Sequence, residues 1–256
     1  MKFTIGTPGV DDYDILLDEM SGMHINSEET STVPLVQFWQ KTKKVIRFLE
    51  PKIGIDILDP LLCFEYPVKP QGGKGKCSMT DLMILSQNNR VAIEAKYTEY
   101  VEAWTSTVKT VAQWNDKNES NKRNVANGWW KMIRSFSKSG INEVPKDIGY
   151  QFLHRTASAC CGTRGQAVVV YQVFYKPEDK SKKQLAKFEQ ELQRCVSLIH
   201  PKECLRFYIW KIEAVRFTDI KFEKQKQTGK TEPCPFGELK QKSIYTFNRC
   251  GEIYSL

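Results

Sequence analysis

An aspartate and a Glu-x-Lys pair, 13 residues apart, have the types and spacing that could carry out chemistry in this sequence. Asp81 lies in the run MTDLMIL, and Glu94 and Lys96 lie in the run RVAIEAKY. Mg²⁺ prefers oxygen ligands such as carboxylates, and an ammonium group can orient water or neutralise charge on a phosphate. The three residues therefore predict a metal-dependent site that hydrolyses phosphate esters.

The two runs have the composition of adjacent antiparallel strands, which would bring these residues together. We predict strands over 79–85 and 90–97, because the polar residues SQNN between them are typical of a tight turn. Alternate side chains of a strand lie on opposite faces, so Glu94 and Lys96 share one face, and the hairpin places Asp81 near Glu94. Two carboxylates and one ammonium group then converge at one end of a sheet.

The charged residues of the second strand need an explanation, because burying a charge is costly unless it is paired or bound to a metal. Glu94 and Lys96 interrupt an otherwise apolar strand that begins at Val91. The backbone carbonyl of Ala95, which lies between them, could supply a further metal ligand. The alternative is a hairpin in which the charged residues form a purely structural ion pair.

The pattern of Asp81 followed by Glu94-Ala95-Lys96 resembles that of the PD-(D/E)XK nuclease superfamily, which has the restriction-endonuclease-like fold. The resemblance covers roughly residues 31–176 and implies an αβββαβ core. It implies a nuclease, dependent on Mg²⁺ or Mn²⁺, that hydrolyses DNA phosphodiester bonds. Asp81, Glu94 and Lys96 would be catalytic, and Asp81, Glu94 and the Ala95 carbonyl would bind the metal. Many members dimerise to cut both strands, so the resemblance also allows a homodimer.

The sequence departs from the family's pattern at one position and leaves the supporting residues open. Thr80 precedes the aspartate, where the motif has proline. Many members add an acid from the first helix, and the predicted helix here has none. The candidates for that third acid are Glu28, Glu29 and Glu65, and the sequence does not choose among them. Polar residues that later helices could bring to the site are Gln113, His154 and Arg155, although His154 could instead pack beside the helix end.

A basic, glycine-rich loop directly before Asp81 is a candidate for binding nucleic acid. The loop, residues 69–77, reads KPQGGKGKC and contains Lys69, Lys74 and Lys76. Lysines bind phosphates without regard to sequence, and glycines allow a close approach of the backbone. The alternative is an ordinary mobile loop.

Hydrophobic periodicity predicts a mixed central sheet flanked by helices, an α/β fold, around the hairpin. A helix is expected from Pro34 to Leu49, ended by Pro51 and Gly54. Further strands are predicted over 61–68, 166–175 and 205–217, with a last short strand within 243–254. Further helices are predicted around 15–17 and over 101–114, 124–136, 150–161 and 180–198. The expected domains are an N-terminal arm (1–30), a catalytic domain (31–220) and a C-terminal extension packed on it (221–256).

Composition narrows the class of protein. The 256 residues are 41% hydrophobic and 11% aromatic, which excludes a disordered chain and allows a sizeable core. No window approaches a membrane span and no signal peptide is evident, so we expect no membrane partner and a cytoplasmic location. The net charge of +8 favours a polyanionic partner such as DNA. The alternatives are an enzyme acting on RNA or branched DNA, and a non-catalytic binding protein that retains the fold.

Overall fold

The computed structural model describes residues 2–5, 12–21, 30–97, 109–217 and 243–256. The strands in these ranges are β1 (Lys2–Ile5), β2 (Leu61–Val68), β3 (Ser78–Ser86), β4 (Asn89–Lys96), β5 (Ala167–Tyr175), β6 (Leu205–Arg216), β7 (Tyr245–Phe247) and β8 (Glu252–Ser255). The helices are α1 (Tyr13–Ser21), α2 (Thr32–Trp39), α3 (Thr42–Ile53), α4 (Val111–Trp114), α5 (Ser120–Ile133), α6 (Tyr150–Cys160) and α7 (Asp179–Ile199), with a 3₁₀ turn at Arg134–Phe136.

The strands form a mixed sheet whose spatial order follows the chain from β1 to β7. β2, β3 and β4 are antiparallel neighbours, and the predicted hairpin joins β3 to β4. β5 and β6 run parallel to β4, so the chain crosses over the sheet through helices before each of them. This confirms the prediction of an α/β fold with a mixed central sheet flanked by helices.

The alternation of side chains along β4 separates two cores, one on each face of the sheet. Val91 and Ile93 pack into the core that also contains residues of α1, α2 and α3. Ala92 packs into the opposite core, beneath α5, α6 and α7. Since Glu94 has the same parity as Ala92, its side chain lies on the face covered by α5 and α6. The sheet thus directs the charged residues of β4 away from the core of α1 to α3.

The first predicted helix is divided in two, which corrects the sequence prediction. α2 ends at Trp39 and α3 begins at Thr42, whose hydroxyl donates a hydrogen bond to the Trp39 carbonyl. A side-chain bond to the backbone in place of the helical ladder is a common way to break a helix. Pro51 lies inside α3 rather than ending it, and Gly54 caps the helix with a left-handed φ of 65°.

The two terminal segments contribute strands to the sheet. Within the predicted arm, β1 pairs with β2, and Leu16 and Leu17 of α1 are fully buried. Within the predicted extension, β7 and β8 both pair with β6. The loop predicted over 221–230 and most of the helix predicted over 101–114 lie outside the described residues. Among the helices that the structure describes, none has the length and apolarity needed to cross a bilayer.

Candidate active site

Three carboxylates lie in a row across the neighbouring strands β2, β3 and β4. The β3–β4 register pairs Leu82 with Ile93, so the next step brings Asp81 opposite Glu94. The β2–β3 register likewise places Glu65 opposite Asp81. The row lines a pocket of about 560 Å³, together with Ala95 and Lys96. The structure therefore brings together the Asp, the Glu-x-Lys pair and one of the three candidates for the third acid.

Glu94 is the centre of a buried polar network. Only 2% of the residue is exposed, and its Oε1 accepts hydrogen bonds from Lys96 Nζ at 2.8 Å and from Gln151 Nε2 at 2.9 Å. Its Oε2 forms an ion pair with the guanidinium of Arg155. Burial raises the pKa of Glu94, but Arg155 and Lys96 outweigh that effect and hold the pKa below its ordinary value. Glu94 is therefore a carboxylate at neutral pH.

The surroundings of Asp81 favour its ionised form less than those of Glu94 do. Its Oδ2 accepts a hydrogen bond from the backbone N–H of Ala95 at 2.7 Å, which ties the start of β3 to the end of β4. Burial and the neighbouring charge of Glu94 raise the pKa of Asp81 to about 8, although Arg155 and Lys96 act in the opposite direction. Two carboxylates side by side repel each other, and a bound cation would relieve that repulsion.

Glu65 takes part in the same electrostatic cluster. Its pKa is raised by burial and by Glu94, and lowered in part by Arg155. The residue has a φ of 49°, which is unusual for a non-glycine residue and marks a local distortion of β2 beside the row of carboxylates. Glu28 and Glu29, the other candidates for the third acid, lie outside the described residues.

Helix α6 supplies the cationic and polar groups that cover Glu94. Arg155 is 3% exposed, and its Nε and Nη1 have no hydrogen-bond partner among the described residues. His154 Nδ1 lies 2.7 Å from Ser78 Oγ, and both side chains line the pocket. Burial and the charge of Arg155 lower the pKa of His154 to about 3, so this imidazole is neutral at physiological pH. His154 thus lines the pocket, where its ring also contacts the rings of Trp129 and Tyr150.

Two pocket residues, Gln151 and Trp114, were missed by the sequence analysis. Gln151 is one turn before Arg155 on α6, so the helical spacing of four residues was the signal that could have found it. Trp114 stacks on Tyr150, with ring centroids 3.9 Å apart and planes inclined by 8°. Nothing local in the sequence brings these two rings together, because α4 and α6 meet only in the folded chain.

The basic loop is hydrogen-bonded to helix α5. The Lys74 N–H donates to Asn121 Oδ1 at 2.7 Å, and the Gln71 N–H donates to the Gly128 carbonyl at 3.3 Å. A Cβ on Gly128 would lie 2.9 Å from the backbone of Gln71 and Gly72, so glycine allows the close approach. Lys74 and Lys76 line the pocket.

Two of the predicted site residues do not reach the pocket. Lys69 is exposed and is not among the residues that line it. Gln113 is exposed and caps α4, where its Oε1 accepts a hydrogen bond from the Thr110 N–H at 2.9 Å. A glutamine at the third position of a helix is ideally placed for such a capping box, and this use explains why it points away from the site.

The donor set fits a hard divalent cation in its chemistry, because Glu65, Asp81 and Glu94 offer carboxylate oxygens and Ala95 offers a carbonyl in the same pocket. The placement of Asp81 directly opposite Glu94 favours a cation there, because a cation between two adjacent carboxylates relieves their repulsion. Among the described residues, however, no group of three or more His, Cys, Asp or Glu side chains is arranged around a common ion position. In this arrangement Arg155, Lys96 and Gln151 engage the Glu94 oxygens.

The fold and the site define an α/β protein with a mixed sheet, in which carboxylates, a lysine and an arginine share one pocket. Residues 7–214 match the family described as "Domain of unknown function (DUF6946)", and since this is most of the chain, the protein belongs to that family. No curated protein matches the chain, and no solved structure does.

Proposed function

We propose that this protein is a metal-dependent nuclease that hydrolyses DNA phosphodiester bonds. The observation that carries the proposal is the convergence of Asp81, Glu94 and Lys96 in one pocket, whose rim carries Lys74 and Lys76. Carboxylates can bind a hard cation, and a neighbouring lysine can bind a phosphate. Basic residues at the rim attract a polyanion.

Asp81 and Glu94 would hold the cation, with the Ala95 carbonyl as a further ligand and Glu65 as the additional acid. When bound, Mg²⁺ or Mn²⁺ supplies Lewis-acid polarisation of the phosphoryl oxygen and makes water a better nucleophile. Glu94 would have to share its oxygens with its present partners, Lys96 and Arg155.

Lys96 orients the attacking water or neutralises the charge that grows on the phosphate. Its Nζ lies 2.8 Å from Glu94 Oε1, so one carboxylate holds the ammonium group in place beside the carboxylate row. The buried guanidinium of Arg155 pairs with Glu94 and adds a second positive charge next to the carboxylate row. Both residues place positive charge where negative charge develops in phosphoryl transfer.

The test is cleavage of plasmid and linear DNA in the presence of Mg²⁺, Mn²⁺, Ca²⁺ or EDTA. We expect cutting with Mg²⁺ or Mn²⁺ that EDTA abolishes and that both Glu94→Ala and Lys96→Ala remove, with circular dichroism showing both variants folded. RNA and branched DNA are included as substrates, because the basic rim suits any of these polyanions.

The outcomes separate the alternatives. Metal-dependent cutting of RNA or branched DNA alone would keep the site and change the substrate. Tight Mn²⁺ binding that Glu94→Ala removes, without cutting of any nucleic acid, would favour a non-catalytic binding protein. The absence of both metal binding and cutting would contradict the nuclease proposal. Glu94, Lys96 and Arg155 would then be a purely structural network.

A further inference from the structure

A stacked aromatic pair forms part of the wall of the candidate active-site pocket. The rings of Trp114 and Tyr150 lie 3.9 Å apart and nearly parallel, and both residues line the pocket together with Asp81 and Glu94. Trp114 is half-buried, in contrast to Trp129 and Trp130 in the core. The hydrolysis described above uses neither ring of the pair.

Neighbouring contacts hold the pair in place. Trp114 ends the short helix α4, which the reciprocal capping bonds of Thr110 and Gln113 stabilise. The Tyr150 hydroxyl accepts a hydrogen bond from Trp129 Nε1 at 3.4 Å. An aromatic surface that is already ordered loses little conformational entropy when a planar ligand stacks on it.

Three lysines line the same pocket as the aromatic pair. The Nζ of Lys122 lies 5.8 Å from the centroid of the Trp114 ring, and Lys122, Lys74 and Lys76 all line the pocket. A combination of aromatic rings and lysines is typical of surfaces that bind single-stranded nucleic acid, where bases stack on the rings and the backbone meets the cations.

The volume of the pocket suits a ligand of the size of one nucleotide. Its volume of about 560 Å³ falls within the range of roughly 300–1,000 Å³ that is usual for pockets enclosing a small ligand. The basic loop forms one side of the pocket, and hydrogen bonds to Asn121 and Gly128 attach this loop to α5. A base can enter such a space only when it is unpaired, because pairing keeps it inside the stack of the duplex.

We propose that Trp114, backed by Tyr150, is a stacking subsite for an unpaired nucleobase, so that the protein takes single-stranded DNA in preference to duplex. The inference rests on the proposed function, because the phosphate next to the stacked base would be the one presented to Asp81, Glu94 and Lys96. Lys122, whose Nζ pairs with Glu119 Oε1 at 3.1 Å in this structure, exchanges that partly exposed ion pair for the neighbouring backbone phosphate.

The experiment measures binding without cleavage. Fluorescence anisotropy in EDTA compares a labelled single-stranded oligonucleotide with the blunt duplex of the same sequence. We expect the single strand to bind more tightly than the duplex. Trp114→Ala should weaken the binding of the single strand by roughly 5- to 150-fold, which is the loss of affinity expected when one stacking contact with a base is removed. Trp114→Phe keeps most of the affinity, since it retains a ring, and thermal melting checks that each variant is folded.

A matched pair of variants isolates the role of the lysine. Lys122→Ala is expected to weaken binding and to reduce its salt dependence, because one phosphate contact is lost. Lys131→Ala removes the same charge from an exposed position of α5 that does not line the pocket, and it should bind like the wild type.

The results also separate this proposal from the nuclease proposal. Binding of single strands that depends on Trp114, without cutting of any DNA, would support the stacking subsite and contradict the nuclease. Equal affinity for single strand and duplex, or an unchanged affinity of folded Trp114→Ala, would overturn the subsite even if the protein cuts duplex DNA with Mg²⁺.

Discussion

Arg155 and Glu94 form an ion pair in which both partners are almost completely buried, with side-chain exposures of 3% and 2%. The pair joins helix α6 to strand β4, so the carboxylate that would bind a metal also contributes to the stability of the fold. Removing either partner leaves an uncompensated charge in the interior, which is far more costly than losing a surface pair.

Glu94→Gln is therefore expected to lower the free energy of unfolding by about 3–5 kcal/mol, because Arg155 is left buried without its ion-pair partner. Urea unfolding measures the change. The control is Glu191→Gln, which breaks the exposed pair with Arg194 and should cost less than about 1 kcal/mol.

A double variant separates the structural role of Glu94 from its catalytic role. Glu94→Gln with Arg155→Met removes both charges, and we expect it to regain part of the lost stability. It should not regain DNA cleavage. If the double variant cut DNA as well as the wild type, Glu94 would have no part in catalysis.

Lys96→Met is expected to reduce kcat for DNA cleavage by about 10²–10⁴, as for a residue that acts on the proton or charge of the transition state. Methionine keeps the apolar stem of the side chain, and Glu94 keeps Arg155 and Gln151, so the fold is retained. Single-turnover kinetics measure the loss. Lys131→Met serves as the comparison, and an equal loss in that variant would exclude a specific role for Lys96.

Asp81→Asn and Glu65→Gln are both expected to weaken Mn²⁺ binding, because each removes a carboxylate from the row across β2, β3 and β4. Isothermal titration calorimetry measures the affinity, with the exposed Asp116→Asn as control. An unchanged affinity for Mn²⁺ in Glu65→Gln would show that Glu65 is not the third acid.

The affinity of the wild type for Mn²⁺ should depend on pH in a defined direction. The pKa of Asp81 is raised to about 8, so the cation must displace a proton at lower pH. We expect the affinity to rise by up to about ten-fold per pH unit below pH 8 and to level off above it. A flat profile between pH 6 and 8 would contradict the raised pKa.

The attachment of the basic loop to α5 can be tested at Gly128. Gly128→Ala places a Cβ 2.9 Å from the backbone of the loop, so the loop must shift, and DNA binding should weaken as Lys74 and Lys76 move. Anisotropy titrations at two salt concentrations measure the loss. Gly140→Ala is the control: its φ of 63° imposes backbone strain, but no neighbour lies within 4 Å of the new methyl group.

His154 is expected to remain neutral between pH 5 and 8, because burial and Arg155 lower its pKa to about 3. The unfolded state binds a proton at its ordinary pKa near 6.5, so the native state loses stability as the pH falls from about 7 towards 3. NMR titration of the imidazole resonances, assigned with His154→Gln, should show no transition for this residue. In the variant, the fall of the unfolding free energy over that range should be shallower.

The hairpin and the position of Asp81 beside Glu94 could be predicted from the sequence, because both depend on local rules. Strand alternation has a period of two, and a short polar turn leaves only one way to pair β3 with β4. The order of the elements from β2 to β6 followed in the same way from hydrophobic periodicity, whereas strand β1 at the start of the chain was not predicted. The break between α2 and α3 could not be predicted, because it depends on how the chain packs around Trp39.

The sequence alone thus determined the α/β class of the fold, the strand pair and the face on which Asp81, Glu94 and Lys96 lie. Only the tertiary structure decided which distant groups join them. Glu65 is selected by the register between β2 and β3, and Arg155 and Gln151 are selected by the docking of α6 on β4. These choices depend on contacts between residues far apart in the chain, whose energies come from packing and burial rather than from local propensity.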